Sequence, residues 1–427
     1  MTKKWTASLL VDRLTEEEQA RAQVVEGVLP ALREAAQEAD LSGQFYLDHV
    51  RTLGEAGLLG LVVPEAYGGM GGGLRDLAGA CFAMGTACAS TALAYFFHCS
   101  TASRGLLGIE AIEAGLFNDQ EARIVRAFAE KLLHKMGHER KWLANFASES
   151  TKTSKSAVTI STTATKTSGG WLLNGVKSFG CATDVADEYL VTAVLADNPT
   201  SDGLSLFFVP RDAQGVSVRS AWDAIGMRAT ANNGIVLKEV FVPDDEALAL
   251  EGAFVRMMRV SRGSFVGNQM AATAIYVGAA QAVYDYALGY LTGVTFGDTG
   301  QPIAESPLHQ QLIGEMTAEL ESAYLWMRRQ LELETCEPPL LDKERVVQQW
   351  RMAKGSACEH AFQVAVLALK ACGTSNTDNR GVIARGLRDL SMGLVQAFPA
   401  ERGRLMAAEY AVKQQMQSDF SVIGAKS

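Results

Sequence analysis

Residues 171–195 read WLLNGVKSFGCATDVADEYLVTAVL, and this stretch decides the fold class. It contains two runs rich in aromatic and β-branched residues, separated by a segment with glycine and aspartate, which is the pattern of paired β-strands. Similar runs surround it: VTISTTA at 158–164, LSLFFVP at 204–210, VSVRSAW at 216–222 and GIVLKEVFVP at 234–243. Together they predict an antiparallel β domain over residues 146–250.

The sequence on either side of this domain has helical periodicity. Apolar residues recur three and four positions apart before residue 145 and again after residue 251. The longest stripe holds one helix face for about six turns and consists of Leu308, Leu312, Met316, Leu320, Tyr324, Met327 and Leu331. The predicted fold is therefore α+β: a helical N-terminal domain (1–145), the antiparallel β domain (146–250) and a C-terminal four-helix bundle (251–427). Such a bundle also offers an interface for a homodimer or homotetramer.

Composition excludes several classes of partner. The 427 residues include 48% hydrophobic ones, which is typical of a folded globular protein. With 39 basic and 48 acidic residues the net charge is −9, so we expect neither nucleic acid nor an anionic membrane as a partner. The seven cysteines form no CxxC pair, and the first residues lack the apolar stretch of a signal peptide. These features predict a cytoplasmic protein with reduced thiols and no metal site.

The segment Leu77–Ser103 has no formal charge over 27 residues. Because it is built from Ala, Gly, Ser, Thr and Cys with few large aliphatic residues, it predicts close helix packing in a protein interior rather than a membrane span. His98 lies near its end, where a titratable ring needs either a hydrogen-bond partner or a cavity. A core histidine bonded to the backbone and a pocket residue are both consistent with this position.

Several well-known chemical motifs are missing. The sequence has no GxxxxGK[ST] loop, no GxGxxG after a strand and no GxSxG elbow. GGMGGG at 68–73 follows Pro64 and predicts a tight turn between helices. His134 and His138 are spaced as helical metal ligands, but HKMGH lacks the glutamate of a metalloprotease motif.

Local strings across most of the chain resemble the acyl-CoA dehydrogenase superfamily of flavoproteins. They are LGEAGLLGLVVPEAYGGMGGG (53–73), FASES (146–150), WLLNGVKSFG (171–180), AIGMRATANNGIVLKEVFVP (224–243) and TFGDTGQPIAESPLHQQLIGEM (295–316). The order of helical domain, β domain and helical bundle also matches this family. A β domain wedged between helical domains would form a cleft in which a flavin ring lies on strand backbone and a substrate covers its other face.

The resemblance implies which residues line this cleft. Ala147, Ser148, Phe179 and Cys181 would lie beside the flavin, with Phe179 in place of the family's usual tryptophan, and Phe296 would also contact the cofactor. The residues implied near the substrate are Ser154, Thr230, Asn268, Gln396 and Phe398.

The sequence departs from the family at the catalytic base. The dehydrogenases use a glutamate to remove a proton from an acyl thioester while hydride passes to the flavin. The two family positions for this glutamate hold Ala397 and Gly267 here. Glu401, one helical turn beyond Ala397, and His98 are the remaining candidates for the catalytic residue.

The sequence also departs from the family at the cofactor phosphates. The family's "RxxFG" arginine is replaced by Gly293, and its "QxxGGxG" turn by KACGTSN at 370–376. Because a cation and close-approach glycines are lost, the ADP half of the site is weakened. The family implies FAD, but these losses leave FMN open as the flavin. Such losses also resemble the two-component monooxygenase branch, in which a partner reductase supplies reduced flavin and O₂ is the oxidant.

Three functions therefore remain in competition. The first is a flavin oxidoreductase acting on an acyl thioester, carried by CoA or an acyl carrier protein, with a displaced base. The second is a monooxygenase that takes reduced flavin from a flavin reductase and oxidises a small molecule. The third is a non-catalytic partner subunit of a mixed oligomer.

Overall fold

The computed structural model describes residues 5–151, 153, 158–261, 269–396, 399–412 and 420–422, which contain eleven helices and ten strands. The helices are α1 Glu16–Ser42, α2 Leu47–Glu55, α3 Leu74–Ala87, α4 Ala89–Glu113, α5 Asp119–Gly137, α6 Ala253–Val260, α7 Met270–Gly293, α8 Pro307–Thr335, α9 Lys343–Cys372, α10 Val382–Gly393 and α11 Ala400–Ala411. The strands are β1 Leu143–Phe146, β2 Val158–Ile160, β3 Thr163–Thr167, β4 Gly170–Gly180, β5 Glu188–Leu195, β6 Leu204–Pro210, β7 Val216–Ser220, β8 Asn233–Pro243, β9 Ala247–Leu248 and β10 Phe420–Val422. The predicted order of helices, sheet and helices is confirmed.

The uncharged segment forms two buried helices, α3 and α4. The chain breaks between them at Cys88, whose extended φ of −147° cannot continue a helix. Small residues allow α3 to pack closely on α7: a Cβ on Gly278 would lie 2.1 Å from the Phe82 carbonyl oxygen. None of the described helices combines the length and the apolar character needed to cross a membrane.

The central sheet has the order β7-β8-β4-β3-β5-β6-β9, with β1 paired to β5 at its side. Most neighbours are antiparallel as predicted, but β5 runs parallel to both β1 and β3. The short pair β2–β10 is also parallel. The prediction of an antiparallel domain was therefore wrong for these three strand pairs. The reason is long-range. β1 follows the helical domain directly and pairs with β5, although three other strands lie between the two in the sequence.

The C-terminal helices α7, α8, α9 and α10 pack as a bundle, with α11 against α9. The predicted stripe forms the buried face of α8 from Met316 to Leu331, whereas Leu308 at its first turn is exposed. Ser306 caps this helix by accepting the His309 N–H, and Pro307 occupies its first position. The predicted passage between two bundle helices, residues 295–316, contains the loop between α7 and α8 and the start of α8.

The three parts meet at the turn that precedes β8. The Met227 N–H donates to the Asp389 carboxylate of α10 at 2.7 Å. A Cβ on Gly226 would lie 1.9 Å from the Arg388 carbonyl oxygen, so glycine is needed for this close approach. Arg388 also forms an ion pair with Asp40 at the end of α1. One turn of the β domain is thus held by both helical domains.

Candidate active site

One wall of the cleft is the chain that continues from β1. The Ser178 N–H of β4 donates to the Ser148 carbonyl oxygen at 2.9 Å, which holds residues 147–150 against that strand. Ala147 is half-buried and Ser148 is exposed. The Ser148 hydroxyl makes no hydrogen bond to any residue that the structure describes, so it remains available to a ligand.

An aromatic pair with one exposed ring lies beside this wall. The Phe179 side chain is 51% exposed although it belongs to β4. Its ring contacts Trp222 edge to face, with centroids 5.9 Å apart. The Trp222 indole N–H donates to the Met227 carbonyl oxygen at 2.9 Å, which fixes the second ring. The exposed Phe179 ring, packed against Trp222, offers an apolar face to a planar ligand.

Cys181 and Thr230 lie where β4 leaves the sheet. The Ala182 N–H donates to the Thr230 carbonyl oxygen at 2.8 Å, which joins the two turns. Burial raises the pKa of the Cys181 thiol, so this group stays protonated. Thr230 is buried, and its hydroxyl donates to the Met227 carbonyl oxygen at 2.9 Å. The expected contact of Thr230 with substrate therefore cannot use a hydroxyl proton without breaking this bond.

These turns have strained backbone geometry. Ala182, Met227 and Ala231 have φ values of 61°, 51° and 43°, although none is glycine. Non-glycine residues in this region cost about 1–3 kcal/mol each and cluster at functional sites. The strain therefore supports a ligand site at this end of the sheet.

A buried ion pair supports the wall from behind. Lys177 Nζ lies 2.7 Å from the Glu149 carboxylate and also donates to the Thr192 carbonyl oxygen at 2.6 Å. Glu149 in turn accepts from the Thr162 N–H at 3.0 Å. Burial lowers the pKa of Lys177 to about 8, although Glu149 opposes that shift. For Glu149, burial acts to raise the pKa, but Lys177 and the donors outweigh it, and the pKa is lowered.

The outer edge of the cleft carries a cation. The Ser150 hydroxyl lies 2.8 Å from the Ser178 hydroxyl and accepts from Arg219 Nη1 at 2.8 Å. Arg219 belongs to β7 and is exposed. The arginine brings a positive charge to the strand end, where an anionic group of a ligand could bind.

His98 lies in the core rather than in the cleft. Its ring is fully buried and packs on Trp142 with centroids 5.0 Å apart. Nε2 lies 2.8 Å from the Leu59 carbonyl oxygen, and Nδ1 accepts from the Leu143 N–H at 3.0 Å. Burial lowers the pKa of His98 to about 4. Because both ring nitrogens have backbone partners, the environment fits the alternative of a core histidine. The catalytic role of His98 stays a prediction.

The catalytic role of Glu401 stays a prediction. It lies in the first turn of α11 and is exposed. Gln396 accepts a hydrogen bond from the Tyr276 hydroxyl of α7, so this expected substrate residue is brought to the first bundle helix. Burial raises the pKa of Tyr276, which keeps the phenol neutral.

Other expected site residues lie elsewhere. Phe296 is on the loop between α7 and α8, where its N–H donates to the Gln301 carbonyl oxygen at 2.9 Å. Ser154, Asn268 and Phe398 lie outside the described residues, as do Gly267 and Ala397. Their roles stay predictions.

Several features of the candidate site depend on residue pairing and cannot be read from the sequence. Lys177 and Trp222 belong to segments whose composition predicts β-strands. Their partners, Glu149 and Phe179, are fixed only by the pairing of the sheet. Arg219 gave a weak signal as a lone charge inside the apolar run VSVRSAW. The sequence contains no signal for the unbonded Ser148 hydroxyl or for the strained backbone of the turns.

Comparisons with known proteins match this architecture. Three family models cover the chain in order: the acyl-CoA dehydrogenase N-terminal domain over residues 15–109, the middle domain over 144–240 and the C-terminal domain over 270–398. The chain is 28% identical to cyclohex-1-ene-1-carbonyl-CoA dehydrogenase of Geobacter metallireducens over 89% of this chain and 93% of that protein. It is 31% identical to L-evernosamine nitrososynthase of Micromonospora sp. over 68% of this chain and 65% of that protein.

A solved structure shows the same fold. TdsC from Paenibacillus sp. A11-2, determined with FMN bound, has a TM-score of 0.78 and 21% identity, covering 94% of this chain and 99% of that chain. Fold, cleft and family matches together define an oxidoreductase of the flavoprotein class. The chain belongs to the acyl-CoA dehydrogenase superfamily.

Proposed function

We propose that this chain is a flavin-dependent monooxygenase that uses reduced flavin and O₂ to oxidise a small organic substrate. The observation that carries the proposal is the lack of a substrate-side base. Both glutamate positions of the dehydrogenases are filled by Ala397 and Gly267, and Glu401 is exposed on α11. The buried carboxylates of Glu149 and Asp389 are already bonded to Lys177 and to the Met227 N–H.

The cleft fits a flavin. The Ser148 hydroxyl would donate to the ring, the Phe179–Trp222 pair would lie against its apolar edge, and Arg219 would pair with a phosphate. One cation at this edge suits FMN better than the pyrophosphate of FAD, since the family's arginine is lost at Gly293. TdsC, of the same fold, holds FMN.

Reduced flavin supplies the electrons with which one oxygen atom of O₂ enters the substrate while the other leaves as water. The chain's own residues need only bind, orient and exclude water. The Lys177–Glu149 pair holds the wall on which the ring would lie, and Tyr276 with Gln396 would close the side toward the bundle. The neutral thiol of Cys181 and the phenol of Tyr276 bring no charge to the cleft.

The relatives favour oxidation of a nitrogen or sulfur atom. One relative is named as a nitrososynthase and another as isobutylamine N-hydroxylase of Streptomyces viridifaciens, and TdsC is named as dibenzothiophene monooxygenase. We therefore propose a substrate with such a heteroatom, and a separate flavin reductase that delivers reduced flavin. Six buried cysteines remain thiols, which fits action in the cytoplasm.

The test uses the purified chain and no knowledge of the substrate. FMN and FAD are titrated separately, each complex is reduced without air, and the return of the oxidised flavin spectrum is followed after mixing with O₂. We expect tighter binding of FMN, and slower release of H₂O₂ than from free flavin, because the cleft excludes water. Dye reduction with a panel of acyl-CoA thioesters should be absent.

The matched variant is Glu401→Gln. Under the monooxygenase proposal it reacts with O₂ as the parent does. Dye reduction by an acyl-CoA that is abolished in Glu401→Gln would instead establish the displaced-base dehydrogenase. A chain that binds neither flavin would point to the non-catalytic subunit.

A further inference from the structure

Arg104 on α4 is a buried cation that has no counter-ion among the residues that the structure describes. Its side chain is among the largest fully buried ones, with 1% exposure of the residue. Nη1 donates to the Ser103 hydroxyl at 3.2 Å, and the guanidinium carbon lies 5.9 Å from the centroid of the Phe254 ring of α6. Nε has no hydrogen-bond partner, and no carboxylate among the described residues forms an ion pair with the group.

This arrangement is costly in the ligand-free chain. Burial lowers the pKa of Arg104 to about 10, with no opposing contribution from an acidic neighbour. A guanidinium has five N–H donors, and most of them lack a partner here. Buried charges are normally paired, because the desolvation cost is several kcal/mol for an unpaired ion. An anion that is not part of the chain would account for the unpaired charge of Arg104.

The position of Arg104 on α4 connects it to the cleft. Ser90, Phe97 and Arg104 are spaced by seven residues, about two helical turns, so they share one face. The Ser90 hydroxyl accepts from the Ala229 N–H at 3.3 Å, which places this face against the strained turn of the β domain. Arg104 follows Ser90 by about 21 Å along the helix axis.

Phe97 lies between these two residues on the same face. From Ala89 to Gly105 every residue of α4 is buried except Phe97, which is half-buried. Long side chains on a helix tend to lean toward its N-terminus, and from Arg104 this is the direction of Phe97 and the cleft. A substrate that reaches the flavin at one end can thus extend along α4 to Arg104 at the other.

We propose that Arg104 is the specificity-determining residue for the substrate and binds a carboxylate at the end distant from the flavin. This inference rests on the proposed function for the location of the reacting end. The planar fork of a guanidinium matches a carboxylate with two parallel hydrogen bonds. A single guanidinium balances one negative charge, so a singly charged carboxylate suits Arg104 better than a phosphate dianion. The substrate class is a small organic acid with an oxidisable nitrogen or sulfur.

The test measures binding rather than turnover. Hexanoate and hexanamide, which differ in charge but little in shape, are titrated against the parent chain, with oxidised FMN and without flavin, by calorimetry and by the shift in Tm. We expect hexanoate to bind and to raise the Tm more than hexanamide. Arg104→Met should lower hexanoate affinity by about tenfold or more, the usual value of a charged hydrogen bond, and leave hexanamide unchanged.

Stability of the ligand-free variant separates this role from a structural one. Arg104→Met removes an unpaired buried charge, so its Tm without ligand should equal or exceed that of the parent. A lower Tm or an unfolded variant would make Arg104 structural and overturn the proposal, as would equal hexanoate binding by parent and variant or none by the parent. Arg123→Met, an exposed arginine of α5, is the matched control and should behave as the parent. The outcome is independent of the O₂ experiment, since no reduced flavin is present.

Discussion

At the scale of single residues, the cleft depends on side chains that leave space for a ligand. Ser148 is exposed, and its hydroxyl is unbonded among the described residues, beside the aromatic ring of Phe179. Cys181 is also close to this surface; it is buried, and burial keeps its thiol protonated. These side chains differ in chemistry, but none of them carries a charge. Together they offer an uncharged surface to a ligand.

Ser148→Trp should abolish flavin binding, because an indole would fill the space that the ring needs. Cys181→Trp should do the same from the neighbouring strand end. Ser148→Ala is the control: it removes one hydrogen bond, about 1 kcal/mol, and should weaken binding less than tenfold. Flavin fluorescence titration measures all three. Unchanged stoichiometry in both tryptophan variants would show that the flavin lies elsewhere.

His98→Phe should destabilise the fold without changing the chemistry of the bound flavin. The variant leaves the Leu143 N–H and the Leu59 carbonyl without their buried partner, at about 1–3 kcal/mol for each group. Urea unfolding measures this loss. His134→Phe, on an exposed position of α5, should cost far less. A fully stable but inactive His98→Phe would restore the histidine as a catalytic candidate.

The same histidine predicts a pH dependence of stability. His98 has a pKa of about 4 when folded, against 6.5 for an unperturbed histidine, so the unfolded chain binds more protons between these values. Stability contributed by the neutral ring is complete above about pH 6.5 and falls as pH drops toward 4, by up to about 3 kcal/mol. Unfolding at about pH 7.5 and about pH 5 should differ less in His98→Phe than in the parent. An identical difference in both would contradict the assignment.

At the scale of elements, the cleft wall depends on the contact between β4 and the chain after β1. The Lys177–Glu149 pair is almost completely buried and lies behind this contact. Removing one partner leaves an uncompensated charge, whereas removing both leaves none. The pair therefore holds residues 147–150 in place from behind the wall.

Lys177→Met should lower the free energy of unfolding by about 3–5 kcal/mol and weaken flavin binding, because Glu149 loses its counter-ion. The double variant Lys177→Met/Glu149→Leu should recover much of that stability. Lys166→Met is the matched control: it breaks the half-exposed ion pair with Asp244 and should cost at most about 1 kcal/mol. Equal losses from Lys177→Met and Lys166→Met would disprove the role of the buried pair.

At the scale of the whole molecule, large apolar side chains remain exposed on the bundle. Leu325 in the middle of α8 is 64% exposed, and Leu405 of α11 is also exposed. Apolar surface of this kind marks interaction sites. We expect it to be covered by a second copy of the chain in a homodimer or homotetramer.

Leu325→Asp should shift the oligomer toward smaller species, because a carboxylate would be buried in the interface without a partner. Light scattering measures the mass. Leu47→Asp, which changes a leucine of 66% exposure at the start of α2, should keep the parent's mass. A parent chain that is monomeric at all concentrations would refute the expected assembly.

The sequence by itself determined the order of helical domain, β domain and bundle, the buried face of α8, and the loss of both glutamates. These properties are local, since periodicity and residue identity need no knowledge of distant contacts. Only the tertiary structure decided that both nitrogens of His98 are occupied, that β5 is parallel to β1 and β3, and that Arg104 has no counter-ion within the described part of the chain. Each depends on residues far apart in the chain, as Met227 and Asp389 are by 162 positions. Burial and hydrogen-bond satisfaction are properties of such pairs, and no single segment of the sequence contains both members.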